Sequence, residues 1–300
     1  VTYVARARKT TITESLRQCA PLVERVGQGE WNFILNNGSA LLISARACEH
    51  WLHLDAPLGS ATAQGLDAWQ LLKLNRGLGG LSKLALLQPG QTALRVRAEI
   101  PLDEGVDLQR RVGEACAGLK SAAGRLHGEE KEELTRVDSS ATTEEPKEEQ
   151  EGSGLQTLCA EAGWKFTERM QGKLAVELET RTGFYQAIVE ERAGGAVSVA
   201  VEVASDSALG ENSRRAIGTL LLRASAEIRL ARAVVRDGGE GSAASFETLF
   251  QTRPCAAEVN HALSALAVAC GLCGGAAEAM RDEAVAANYL AAQGLKLKLN

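Results

Sequence analysis

The 300-residue chain is 45% hydrophobic and 24% charged, with a formal charge of −5, which suits a globular protein long enough for two domains. It shows no charged-then-apolar leader and no run of 18 apolar residues, so neither a signal peptide nor a membrane span is expected and the chain is placed in the cytoplasm. Seven scattered cysteines, an odd number, suit reduced thiols better than a disulfide framework.

In chain order, Thr11 and Thr13 offer capping oxygens ahead of Leu16, Cys19, Ala20 and Val23, which predicts a helix stopped at Gly27. Residues 31–35 and 40–47 flank Asn36-Asn37-Gly38 and read as a hairpin, since Asn-Gly tolerates positive φ. Residues 51–58 form a third strand. A middle helix carries Leu71, Leu72, Leu74 and Asn75, and the next strand carries Leu84, Leu86 and Leu87. Leu94, Val96, Ala98 and Ile100 then alternate with Arg95, Arg97 and Glu99, the period of a half-buried antiparallel strand. Leu108, Val112, Ala115, Leu119, Ala122 and Leu126 make one apolar stripe on a closing helix.

Residues 128–152 hold ten acids against three bases and close on Gly152-Ser153-Gly154. This segment buries too little apolar surface to offset the entropy of ordering, so it reads as a flexible acidic linker. Removing it leaves +4 over residues 1–127 and −2 over 153–300, so neither half has the basic excess that phosphate-backbone binding requires, and nucleic acid is not expected as a partner. The domains are therefore set at 1–127 and 154–300, with 128–153 between them.

Beyond the linker the pattern returns. Gly154 precedes a short helix with Leu155, Leu158 and Ala162, ended by Gly163; strands follow at 174–179, 184–191 and 197–203, with turns at Thr182-Gly183 and Gly194-Gly195. Residues 219–235 align without gaps to 71–87, Phe246, Thr248 and Phe250 repeat the strand alternation, and Val259, Leu263, Leu266, Cys270 and Cys273 repeat the stripe. The loop at 237–243 is expected to be longer than its counterpart. The fold class is therefore α+β: two tandem α-β-β-β-α-β-β-α domains, each an antiparallel sheet packed with helices.

This element order, carried by Leu71, Leu72, Leu74 and Asn75 in the middle helix, Leu84, Leu86 and Leu87 in the next strand and Ile100-Pro101-Leu102 at the end of the last, resembles the type III secretion chaperone-like family, the Tir-chaperone group and its YbjN-like relatives. The second copy departs from the pattern at Arg223, where the first has Asn75. The resemblance implies a domain that acts by contact, pairing as a dimer and holding an extended segment of a protein partner in apolar grooves. Two copies in one chain would supply the pair internally.

Each residue set that could carry chemistry also has a packing role. Cys270-Gly-Leu-Cys273 has the spacing of a redox or zinc pair, yet both cysteines sit where the first copy has Leu119 and Ala122, so they are read as core residues. His50 and His53 would face opposite sides of a strand, Cys48 and His50 are too few for a metal, and His127 and His261 are isolated. No nucleophile elbow or phosphate-binding glycine loop is present. Trp31 and Trp51 are expected to pack across the sheet, while Arg46, Lys83, Arg95 and Arg97 are expected on its wet face. The tail at 295–299 reads as an added strand or a frayed end.

The expectation is a non-enzymatic protein- or peptide-binding module without cofactor or metal, either a monomeric pseudo-dimer or a homo-oligomer, with no membrane association. The interface, between copies or with a partner, is expected at Leu71, Leu72, Leu74, Leu84, Leu86, Leu220, Leu222 and Leu230. The alternatives are a self-assembling structural or regulatory domain, or an enzyme whose site lacks a recognisable motif.

Overall fold

The computed structural model describes residues 2–37, 39–60, 66–86, 93–127, 154–205, 209–238 and 241–294. The acidic linker, the tail at 295–299, Gly38 and Leu87 lie outside them.

The first half runs α1 (Thr2–Cys19), β1 (Val23–Gly27), β2 (Glu30–Asn37), β3 (Ser39–Cys48), β4 (Trp51–Ser60), α2 (Ala68–Arg76), β5 (Ser82–Leu86), β6 (Ala93–Pro101) and α3 (Leu108–His127). The second runs α4 (Gly154–Glu161), β7 (Phe166–Met170), β8 (Lys173–Thr180), β9 (Gly183–Glu191), β10 (Val197–Ser205), α5 (Glu211–Glu227), β11 (Arg232–Gly238), β12 (Gly241–Phe250), α6 (Ala256–Ala279) and α7 (Glu283–Ala292). The protein is α+β, with two antiparallel six-stranded sheets. Their strand orders, β1-β2-β3-β4-β6-β5 and β7-β8-β9-β10-β12-β11, are the same order used twice.

Each half thus has four strands before its middle helix, not the three expected. The added strands, VERVG and FTERM, are short exposed edges without apolar alternation. They pair antiparallel with β2 and β8, each with a register irregularity beside the turn that joins the pair. Accordingly α1 stops at Cys19, and Val23 and Gly27 belong to β1. Residues 237–243 are not a long loop either: the strands run to Gly238 and resume at Gly241. The second half also carries α7, which no apolar stripe in the sequence predicts, packed on α5.

The apolar stripes cover the inner face of each sheet. Leu52, Leu54, Val96, Ile100, Val112 and Leu119 are buried in the first half, and Leu174, Val176, Val199, Phe246, Leu263 and Leu266 in the second. Trp31 lies in the first core and donates Nε1–H to Thr13 Oγ1 at 3.1 Å. Trp51 does not share its face: the register Trp31–Ala45–Leu54 places Trp31 with the inward residues, and Trp51, three residues from Leu54, points outward. Cys270 and Cys273 are buried, and burial pushes their thiols up to about 12 and about 11. All seven cysteines are free. By length and composition α6 could cross a membrane, but Val259, Leu263, Leu266, Cys270 and Cys273 bury one side of it, and it packs on β8, β9, β10 and β12.

Candidate functional site: an inter-half seam and the groove beside it

The middle helix α2 starts at Asp67, whose carboxylate accepts from Gln70 N at 2.7 Å while the Gln70 side chain accepts from Asp67 N at 2.9 Å, the reciprocal arrangement that fixes a helix start. Its buried residues Trp69, Leu71, Leu72 and Asn75 are more than its own half covers. The rest of the cover comes from the other half. Helix α2 lies on β11, α5 lies on β5, α2 packs against α5, and β5 neighbours β11. Gly218 marks a close approach of the two helices: a Cβ there would stand 3.1 Å from Ala68 Cβ and 3.2 Å from Trp69 N.

The seam is polar as well as apolar. Lys83, fully buried on β5, pairs with Glu99 at 2.6 Å and donates to Ile228 O of the second half. Arg232, buried on β11, pairs with Glu247 at 2.7 Å and donates to Leu78 O and Ser82 O of the first half. Each half thus sends one cation, neutralised by a glutamate of its own sheet, to backbone carbonyls of the other. Such carbonyls would otherwise be buried without donors. Gly80 and Leu230, each two residues before its strand, both adopt left-handed backbone, φ 59° and 61°. The Leu230 amide donates to Glu99 Oε2 at 3.0 Å, which holds a conformation that costs a non-glycine residue about 1–2 kcal/mol. Asn75 accepts from Leu84 N at 2.8 Å and donates to Ala233 O at 2.8 Å. On the other side Ser225 Oγ accepts from Ala233 N at 2.9 Å.

A second contact lacks a mirror image. Arg111 on α3 makes a bidentate pair with Glu258 on α6 at 2.6 and 2.9 Å, reaches Glu114 at 2.7 Å, and stacks 5.1 Å from the Phe250 ring. Burial opposes the guanidinium charge there, but Glu258 and Glu114 outweigh it and raise the Arg111 pKa. Nearby His261 bonds Asp103 at 2.8 Å and meets Trp51 edge-on, the centroids 5.0 Å apart.

Burial pushes the Lys83 amine down even with Glu99 beside it. Burial would push the Glu247 carboxyl up, but Arg232 and Arg236 override it and hold it down at about 2.

Beside the seam, the outer face of the first sheet stays open. A groove of about 530 Å³ has β3, β4 and β6 as its floor, through Ser44, Arg46, Cys48, His53, Asp55 and Arg97, and the end of α5 as its wall, through Ala226, Glu227 and Arg229. Asp55 is clamped by Arg95 and by Arg97 at 3.1 Å, and Arg97 also donates to Ala226 O at 2.9 Å. Arg229 covers the Trp51 ring at 5.2 Å. Burial lowers the His53 pKa, and the charges of Arg229, Arg97 and Lys83 add to this against Glu99. Further along the same face, Ile34 and Leu42 face each other across β2 and β3, 48% and 54% exposed.

The predicted interface leucines fall on the elements that meet at the seam. Leu71 and Leu72 are buried and Leu74 half-buried on α2, Leu84 is buried and Leu86 half-buried on β5, Leu222 is buried and Leu220 half-buried on α5, and Leu230 is buried before β11. Of the four expected outer-face bases, Arg46, Arg95 and Arg97 are on the groove side, but Lys83 is in the seam and not on a wet face, because α5 covers β5. Sequence reasoning missed Glu99, Arg232, Glu247, Arg111 and Glu258. One signal was available: Lys83 and Arg232 each stand directly before the apolar run at the start of the corresponding strand in each copy. Cys48 and His53 both face the groove, yet no hydrogen bond joins them. Among the described residues no cluster of three metal-ligating side chains occurs. The chain matches no known protein-family model and no curated protein.

Proposed function

We propose that the chain is a non-enzymatic, cytoplasmic protein- or peptide-binding module resembling the type III secretion chaperones, its two copies acting as an intramolecular pseudo-dimer. The seam is the observation that carries this reading: α2 on β11 and α5 on β5 are reciprocal contacts, and a buried cation from each half satisfies carbonyls of the other. Reciprocal contacts of this kind characterise an isologous dimer interface. The outer face of the first sheet, from the exposed Ile34–Leu42 pair to the groove, supplies the binding surface. Its occupant is an extended segment that sets apolar side chains on Ile34 and Leu42 and polar groups against Asp55, Arg46 and Arg229, in the manner of strand-like recognition.

The test is selection of 20-residue peptides against the full chain, followed by titration calorimetry of the winners with Leu42→Asp and Ile34→Asp, and with Leu272→Asp on exposed α6 as control. The reading predicts peptides rich in spaced apolar residues, with affinity lost about tenfold or more in the first two variants and kept in the control. Equal binding by all three variants overturns this binding face. A solution mass that rises with concentration, with no peptide selected, favours a self-assembling domain instead.

A further inference from the structure

The groove beside the seam carries more positive charge than its own carboxylates absorb. Of the acids that line it, Asp55 is held by both Arg95 and Arg97, and Glu99 by Lys83 at 2.6 Å and by the Leu230 amide at 3.0 Å. Glu227, exposed at the end of α5, is the third. Two guanidinium groups on the open side keep their capacity for an anion. The ion pair of Arg46 with Glu30 is 3.7 Å long and solvated, the kind that contributes little. Arg229 is exposed and rests over the Trp51 ring at 5.2 Å, and it forms no ion pair among the described residues.

The strand register gathers these groups around one spot. Arg46 stands directly across from His53, and His53 across from Glu99, while Asp55 and Arg97 make the next row of the same face. Residues directly opposite on antiparallel strands have Cβ atoms only about 5 Å apart. Burial lowers the His53 pKa, and the charges of Arg229, Arg97 and Lys83 add to this against Glu99. The imidazole is therefore uncharged at neutral pH and can donate an N–H to an anion above it.

We infer that the groove is a carboxylate-binding pocket, in which Arg46 and Arg229 hold an acidic group of the bound segment above His53. This rests on the binding face proposed above and names the chemistry of its ligand: a peptide that presents a carboxylate beside its apolar residues. A guanidinium meets a carboxylate through two parallel N–H donors, and such a pair is strengthened where protein walls exclude part of the water. The spacing follows from the sheet. Leu42 and Arg46 lie four residues apart on β3, about 13 Å along an extended strand. An extended ligand that seats an apolar side chain on Leu42 therefore carries its acid four residues away. Glu227 opposes this anion from the wall, so its charge sets the pocket below full strength.

The experiment takes the peptides selected on the full chain and resynthesises each in three forms: as selected, with Asp and Glu changed to their amides, and with the C-terminus amidated. Calorimetric titration at low and high salt compares the unchanged chain with Arg46→Gln/Arg229→Gln and with Glu227→Gln. Amidation at one place should weaken binding to the unchanged chain about tenfold, and in the double arginine variant by no more than about twofold. Loss on side-chain amidation assigns the carboxylate to an Asp or Glu, and loss on terminal amidation assigns it to the end of the segment. Salt should weaken binding, and Glu227→Gln should tighten it about twofold. Peptides that bind through Leu42 yet lose nothing on either amidation, or lose as much in the double variant, overturn the pocket and leave the binding face standing. Failure to select any peptide overturns both.

Discussion

The two halves share a strand order and a seam position, but they fill the seam with different chemistry. The first contributes Lys83 with Glu99. The second contributes Arg232 with Glu247, which also holds Arg236 at 2.6 Å. Both cations are buried and both serve carbonyls across the seam. An amine can escape burial by losing its proton, whereas a guanidinium has no accessible neutral form. The two halves therefore teach that a position can keep its role in the packing while differing in its response to pH.

The largest expected effect breaks that pairing. Glu247→Gln strands Arg232 as an uncompensated buried charge and should cost about 3–5 kcal/mol in urea unfolding, with no recovery at alkaline pH. Glu99→Gln strands Lys83 instead. Because the folded Lys83 pKa lies below its ordinary value, the unfolded chain binds a proton that the folded chain lacks between the two values, and stability rises with pH across that window. Without Glu99 the window widens, so the Glu99→Gln penalty should shrink from pH 7 to pH 10. Equal pH behaviour of the two variants would remove the distinction between the halves.

The next effect concerns acid. Glu247 is held at about 2, against an ordinary value of 4.5. Its contribution is complete above pH 4.5 and is lost as pH falls toward 2, a loss of about 3 kcal/mol measurable by calorimetry at stepped pH. Arg232→Met should flatten this limb. A smaller effect sharpens the contact between α2 and α5: Gly218→Val, pressing on Ala68 and Trp69, should cost about 1–3 kcal/mol in thermal unfolding. The smallest is on the groove side, where Leu42→Asp should change stability by no more than about 0.5 kcal/mol while removing peptide binding.

Much of the fold was legible because burial imposes periodicity. The stripe on α3 and the alternation on β6 faced a core and could be read directly. Strands β1 and β7 were not legible, because as exposed edges they carry charges at positions that no core selects. Helix α7, rich in alanine, carries small apolar residues nearly all round, so no stripe stands out. The candidate site divides in the same way. The leucines of α2, β5 and α5 were legible as apolar positions, but which neighbour buries them depends on contacts more than a hundred residues apart. Trp51 is buried, as its bulk suggests, but on the outer face of the sheet, where His261 and Arg229 cover it. The buried ion pairs were hidden because Glu99 continues the alternation of β6 and reads like a solvated charge.

The central claim is that the halves hold each other through the seam and not merely through the chain that joins them. A variant with a protease recognition site inserted within residues 128–153, cleaved to completion and run on size exclusion with light scattering, tests this directly. The account predicts that the two fragments stay together, with a mass no smaller than the 31.8 kDa of the intact chain, and that Glu247→Gln weakens this association. Fragments that separate into two half-sized species on cleavage would contradict it.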